Sequence, residues 1–492
     1  MSNDITTETL GMLKGVYQGG PLAKAGNTVT VASGLVNYDL QAPAKNLYPF
    51  ITILSKRVPR VKGNGGPATN WKVVSGIIGS GFDAMGWVPE GQRSAAMSLT
   101  TNNKAASYVT LGEEAALTFE AQSASEGFED ERSRTSVRLL QKVMRKEEMA
   151  ILGGNASIAL GVSATPTASA AGTGATLPMA TYSVICVQLT FEGIKNSSVS
   201  AAGVATSKVI TGQDGQTYTV NGGSGNKSAA ASQAITLGQT LTVSVVPTQG
   251  ALGFAWYVGV AGSEKLQSIT TVPTTTFSAP LSSTNQAATS VTADCSANPN
   301  LAFDGLLTTA MNPANNAYVK ALGGAFLTSS SRGSVNEIDV MLKAMWDQYQ
   351  LSPTVIYVNS QEQQNITNKV LVASSGTLLR QNIALGEPGA VVAGNVVSHY
   401  YNPWALNGGV MIPILLHPDV PAGCLIAWAD NLPAQYQSNE VPNVAEMKCR
   451  RDWYEIEWPL VTRSYQHGIY AEEVLAVYAP FAMAIISGIG NG

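Results

Sequence analysis

The period of the apolar positions changes several times along the chain. Leu10, Leu13 and Tyr17 allow one short helix before Gly19, Gly20 and Pro21 stop it. From Leu22 to Ile53 the pattern is that of an extended arm with brief strands such as Thr28–Val31. Two β-rich limbs follow, Trp71–Val74 and Ser107–Leu111, with a glycine-rich run, GIIGSGFDAMGWVPEGQRSAAM, between them. About thirty residues between paired limbs are too many for a tight turn. The spacing therefore predicts a long β-hairpin, the alternative being a loose surface loop. A long hairpin buries little of its own surface and needs other chain to lie on.

Residues 123–155 predict a long helix. Ser123 and Glu126 have the spacing of a capping box, Val137, Leu140, Met144 and Ile151 form an apolar stripe, and Gly153, Gly154 and Asn155 are stop signals. Six acidic and six basic residues lie within Glu126–Ala150. Glu126, Glu129, Asp130 and Glu131 fall in the first turns, where the helix dipole favours anions. Asp130 and Glu131 can pair with Arg134 along the helix. Arg138, Lys142, Arg145 and Lys146 are left largely without acidic neighbours on the helix. That predicts either a solvated face or a cationic surface that meets the acids of a neighbouring subunit.

Beyond this helix the charges nearly vanish: Ala156 to Val291 holds seven in 136 residues. Linker-like runs, TPTASAAGTGATLP and SSTNQAATS, lie towards the two ends of this stretch. Between them are short alternating strands: Tyr182–Leu189, Tyr218–Val220, Leu241–Val246, Phe254–Val258 and Leu266–Ile269. Turn signals separate them, which predicts a β-sandwich. Phe254, Trp256 and Val258 share one face, with Trp256 as the candidate centre. The stretch resembles bacterial immunoglobulin-like or fibronectin type III-like modules, without the Cys–Trp–Cys pattern of antibody domains.

The pattern then becomes mixed. Ser334 and Glu337 repeat the capping-box spacing, and Ile338, Leu342, Met345 and Tyr349 mark a helix face. Thr354–Val358 reads as a strand and Ser360 opens another helix, which makes a small α/β layer. The C-terminal part, from about Val441, reads mainly as strands: Trp453 to Trp458, then Val474 to Val477.

Composition narrows the function classes. Hydrophobic residues make up 45% and charged residues only 13%, about half the usual ~25%. So few charges suggest a surface largely covered by neighbours. Lys and Arg number 29 against 33 Asp and Glu, a net charge of -4, which argues against a stand-alone nucleic-acid binder. The polar N-terminus has no cationic start before an apolar run, so no secretory signal is expected. Val474 to Ile486 is apolar but interrupted by Pro480 and too short for a membrane span. Cys186, Cys295, Cys424 and Cys449 have no zinc-type spacing and read as small buried residues.

Candidate chemistry is sparse. His399, His417 and His467 lie far apart, and a satisfied histidine is the simpler reading of His417-Pro418-Asp419. Gly222–Ser228 lacks the glycine before lysine that a phosphate loop needs. A Cys424–His417 nucleophile pair is the remaining enzymatic alternative. No catalytic residue, cofactor or metal is expected.

The order of parts carries a resemblance. It rests on Gly86-Trp87-Val88-Pro89-Glu90-Gly91, on the returning Lys104–Thr110, on the charged helix ending Met149-Ala150-Ile151-Leu152-Gly153-Gly154, and on Phe303-Asp304-Gly305-Leu306-Leu307. Together these resemble the major capsid proteins of tailed phages, with the Hong Kong 97-type fold, over about 1–155 and 300–492. The resemblance implies an α+β chain in six parts. These are an N-terminal arm (1–56), an extended loop (57–111), a peripheral domain with a spine helix (112–160), an inserted immunoglobulin-like β-sandwich (165–290), an axial domain (301–440) and return strands (441–492).

The same resemblance implies self-assembly into hexamers and pentamers of an icosahedral head. The head would enclose double-stranded DNA without reading its sequence, assemble in the host cytoplasm and reside in the virion, with no membrane. A separate scaffolding protein, a portal and a decoration protein are the implied partners. Expected inter-subunit residues are Trp87, Glu90, Gly91, Arg138, Lys142, Arg145 and Lys146, and Trp256 is the expected core of the inserted module. No lysine lies between Lys72 and Lys104, so a covalent cross-link from the hairpin tip is not expected. The rivals are a tail-tube or baseplate subunit, an immunoglobulin-like surface adhesin and, last, a cytosolic enzyme.

Overall fold

The computed structural model describes residues 50–78, 86–126, 130–200, 203–330, 333–373, 396–406, 408–432 and 443–490. The expected helix and brief strands before Phe50 lie outside them. The chain divides into two compact units, Met1–Pro49 with Glu120–Glu131, and Phe50–Phe119 with Arg132–Gly492. In the first unit the described residues are helical through Ser125, where the Ser125 hydroxyl donates to the Gln122 carbonyl (2.8 Å). All that follows concerns the second.

The long hairpin forms. Ala68–Ile78 pairs antiparallel with Ser98–Ser107 through ten registered positions, with a bulge between Val74 and Gly76. The second limb returns earlier than expected. Val109–Leu111 belongs to a separate strand, Val109–Thr118, which joins a different sheet. Tyr108 is the break, and its N–H donates across to the Pro67 carbonyl (3.1 Å).

That sheet has four strands: Arg60–Lys62, Ala445–Glu457, Ser464–Val477 and Val109–Thr118, with only the first pair parallel. The spine helix, Glu131–Gly153, packs on it through Leu139 and Val143, which meet Ile469 and Trp453. This corrects two expectations. Ser123 and Glu126 cap no spine helix, because Ser123 already lies inside the helix Phe119–Ser125. The inward stripe is Leu139, Val143, Glu147, Glu148, Ile151 and Leu152, and Val137 faces outward. The second capping box fails as well. The helix Asn336–Tyr349 has Val335 at its N-cap, and Glu337 instead accepts from the Thr328 N–H (2.9 Å) and hydroxyl (2.7 Å).

The axial segment is a mixed six-stranded sheet in the order Tyr318–Ala321, Met483–Ser487, Leu425–Trp428, Val355–Val358, Val410–Leu416, His399–Asn402. Its central strand, Val355-Ile356-Tyr357-Val358, is buried on both faces, as a continuous apolar run requires. Val355 and Tyr357 face one core with Trp428, Met483 and Ile151. Ile356 and Val358 face another, filled by Ile338, Leu342 and Met345 of the Asn336–Tyr349 helix.

Besides a two-stranded ribbon, Ser207–Thr211 with Thr217–Asn221, residues 165–290 form two facing sheets. One has three strands (Thr167–Ala171, Thr240–Ser244, Thr274–Phe277) and the other four (Ala180–Leu189, Ala231–Ile235, Gly253–Gly259, Lys265–Thr270). Trp256 is fully buried between them against Val184, Leu241 and Val243, and its indole N–H donates to the Thr270 hydroxyl (2.9 Å). The other face of the four-stranded sheet is covered too, where Ile185, Val187 and Tyr257 pack under Val204 and Val291.

This module is not a detachable appendage. Phe191 and Leu252 sit in the same core as Leu54, Ile151 and Phe303. A Cβ on Gly153 would lie 2.5 Å from the Phe191 ring, so the glycine that ends the spine helix also admits that ring. All four cysteines are buried and free.

Candidate assembly surfaces and a buried ionic junction

The hairpin is tied down at its base, and its described residues from Gly86 onward are exposed as far as Asn103. Near the base, Trp71 meets Tyr478 edge-on at 5.4 Å, and Lys104 Nζ lies 3.3 Å from Asn315 Oδ1. Trp87 is 90% exposed, Met97 66% and Leu99 52%. Pro89-Glu90-Gly91-Gln92 closes a turn in which the Gln92 N–H donates to the Pro89 carbonyl (3.1 Å). Gly91 takes φ +76 at its third position, where a side chain would be strained. The GWVPEG sequence thus displays an indole beside a carboxylate at a tight turn. Covering a large apolar side chain is worth about 1.5–3 kcal/mol, and Trp87 gains little of this from the described residues.

The four spine-helix cations fall into two pairs. Arg145 makes a bidentate ion pair with Asp419, one arm at 2.7 Å, and Lys146 lies 3.0 Å from Glu113. Both have acidic partners within the chain, hidden in the sequence because Glu113 and Asp419 come from strands and loops distant from the helix. Arg138 and Lys142 are exposed beside Val137, with no partner among the described residues.

The inward half of the helix end is an ionic junction that sequence reading missed. Glu148 is fully buried and receives the N–H groups of Ile53 (2.9 Å), Leu54 (2.8 Å) and Ser55 (2.8 Å), so it caps the short helix Leu54–Arg57. It also meets His417 Nε2 at 2.9 Å. The Asp419 N–H donates to His417 Nδ1 (3.2 Å), which leaves the Nε2 proton for Glu148. Burial opposes ionisation of Glu148, but the imidazole and the three N–H groups together hold its carboxyl below the usual range. Asp419 joins three segments: Arg145 of the spine helix and Lys195 of the module (3.1 Å) both pair with it. Despite burial these cations hold its carboxyl low.

Glu147 points to Arg60, whose guanidinium also reaches Asp452 (2.6 Å) and Glu473 (3.0 Å) and stacks 5.3 Å from the Trp453 ring. Arg57 grips Asp430 with two donors, Nε at 2.6 Å. The residues from Ile53 to Arg60, which lead into the hairpin, are therefore pinned along their length. The available signal was the pair of adjacent glutamates in the last turns, where the helix dipole disfavours anions.

The remaining sequence candidates are structural. Cys424 is buried, which pushes its thiol up to about 12, and His417 already has both ring nitrogens bonded. Among the described residues no group of three or more His, Cys, Asp or Glu is placed to hold a metal ion, and no helix is long and apolar enough to cross a membrane.

No protein-family model and no curated protein matches the chain. Solved structures resemble it at low identity. The capsid of a native GTA particle is 10% identical, with 95% of this chain and 100% of that one covered and a TM-score of 0.43. The capsid asymmetric unit of cyanophage A-1(L) is 10% identical over 92% and 97%, at 0.45. The SrpI encapsulin complex of Synechococcus elongatus PCC 7942 is 7% identical over 91% and 93%, at 0.37.

Proposed function

We propose that this chain is a shell-forming structural protein, the major capsid protein of a tailed phage, which self-assembles into hexamers and pentamers of an icosahedral head around double-stranded DNA. One observation supports this above the others: a long hairpin, pinned at its base, whose apolar tip is left exposed by the described residues. Around it the long helix Glu131–Gly153 packs on a four-stranded sheet, and a mixed six-stranded sheet forms the second core, an arrangement that supports the reading. The module at 165–290 is read as an immunoglobulin-like insertion. The net charge of -4 suits a container that must not grip its DNA. Scaffolding, portal and decoration proteins are the partners this role calls for, and the virion is its place. No catalytic role is assigned.

Trp87, Glu90 and Gly91 form the docking tip, and Arg138 and Lys142 beside Val137 form the surface that receives it on a second copy. Trp87→Ala should abolish or sharply reduce particle yield while leaving the far-ultraviolet circular dichroism unchanged. Glu90→Lys should do the same, and combining it with Arg138→Glu and Lys142→Glu should restore part of the yield. Normal particles from Trp87→Ala, or no recovery in the charge-swapped combination, would remove this pairing.

A further inference from the structure

The cluster around Arg60 sets one guanidinium against three carboxylates from three elements. Glu147 belongs to the spine helix, while Asp452 and Glu473 lie on the paired strands Ala445–Glu457 and Ser464–Val477. Glu147 and Glu473 are buried to within 1% of full occlusion, whereas Asp452 reaches solvent. Cys449 is the other titratable group facing the site, with Ser55 on Glu147 and the Trp453 ring on Arg60. Full ionisation would leave Glu147 and Glu473 sharing one guanidinium, one surplus negative charge in the buried part of the site, with Asp452 adding a second at its solvent edge, and burial penalises the unpaired charge heavily. One oxygen, Glu473 Oε1, meets no hydrogen-bond partner among the described residues.

We infer that Glu473 retains a proton in the folded chain, making the Arg60 cluster a proton-held latch on the strand that leads into the long hairpin. Its position gives the latch a target. Arg60 lies on Arg60–Lys62, the edge strand held in parallel register to Met447–Cys449, and the hairpin begins at Ala68. Losing the proton places Glu147 and Glu473 in mutual repulsion across a single guanidinium and loosens that edge. Burial, reinforced by the Glu147 charge, pushes the Glu473 carboxyl up to about 8.

The sign follows from that direction. The folded chain binds a proton that the unfolded chain has already released, so the latch weakens as pH rises from the ordinary glutamate range towards about 8. Alkali, not acid, opens it. The inference stands whether or not the chain builds shells.

The test compares the full-length chain with Glu473→Gln. Between about pH 6 and about pH 9 the melting temperature of the wild type should fall, and that fall should be markedly smaller in the variant. Near pH 6–7 the wild type should release about one proton more on unfolding than the variant, read from calorimetry in buffers of different ionisation enthalpy. Amide exchange at 60–62 should accelerate with pH, beyond its intrinsic rise, in the wild type alone. If Glu473→Gln does not fold, infrared spectra of the wild type decide instead, through loss of a protonated-carboxyl band over the same range. Equal pH slopes in the two proteins, or no such band, would overturn the latch.

Discussion

Glu147 and Glu148 are neighbours on the spine helix with different partners. Glu148 satisfies three backbone N–H groups and His417, while Glu147 shares Arg60 with two other acids. Removing one partner of a buried ionic contact strands the others, at about 3–5 kcal/mol. Glu148→Ala should lose stability on that order in denaturant unfolding. The Glu148 carboxyl is held low, so its contribution is present above the ordinary carboxylate range and lost as pH falls through the folded value. Glu148→Gln should therefore be less acid-sensitive than the wild type, as measured by melting temperature from about pH 6 down to about pH 3. None of this was legible beforehand. Hydropathy assigns glutamate to the solvent face, and only the partners, some ninety and two hundred and seventy positions away, reverse that assignment. Trp256 was legible because alternation alone places it inside a sandwich.

Elements were read more reliably than their edges. The hairpin, the spine helix, the Asn336–Tyr349 helix and the Val355–Val358 strand all form in the stretches assigned to them, although neither expected capping box does. The second hairpin limb was misread because Tyr108 separates two strands that are continuous in β-propensity. The helix stripe slipped because Val137 and Met144 are as apolar as Leu139 and Val143, and sequence does not say which row meets the sheet. Low charge and flanking linkers suggest a detachable insert, yet Phe191 and Leu252 fill the main core. Phe191→Ala should cost about 3–5 kcal/mol and lower the single unfolding transition of this unit. Deleting 165–290 should leave the remainder insoluble. A soluble, cooperatively folding remainder would restore the detachable module.

At the scale of the whole molecule, packed cores carry apolar and charged surfaces that the described residues leave exposed. The ionic junction fixes where the hairpin leaves, the hairpin presents Trp87 and Glu90, and Arg138 and Lys142 have no partner among the described residues. Under the proposed function, copies that dock head to tail close if the rotation between them closes and otherwise grow without limit. Electron microscopy of negatively stained, purified full-length chain tests this most directly. Closed shells of uniform diameter are the expected image. A field of dispersed single chains, or open tubes, would contradict the account.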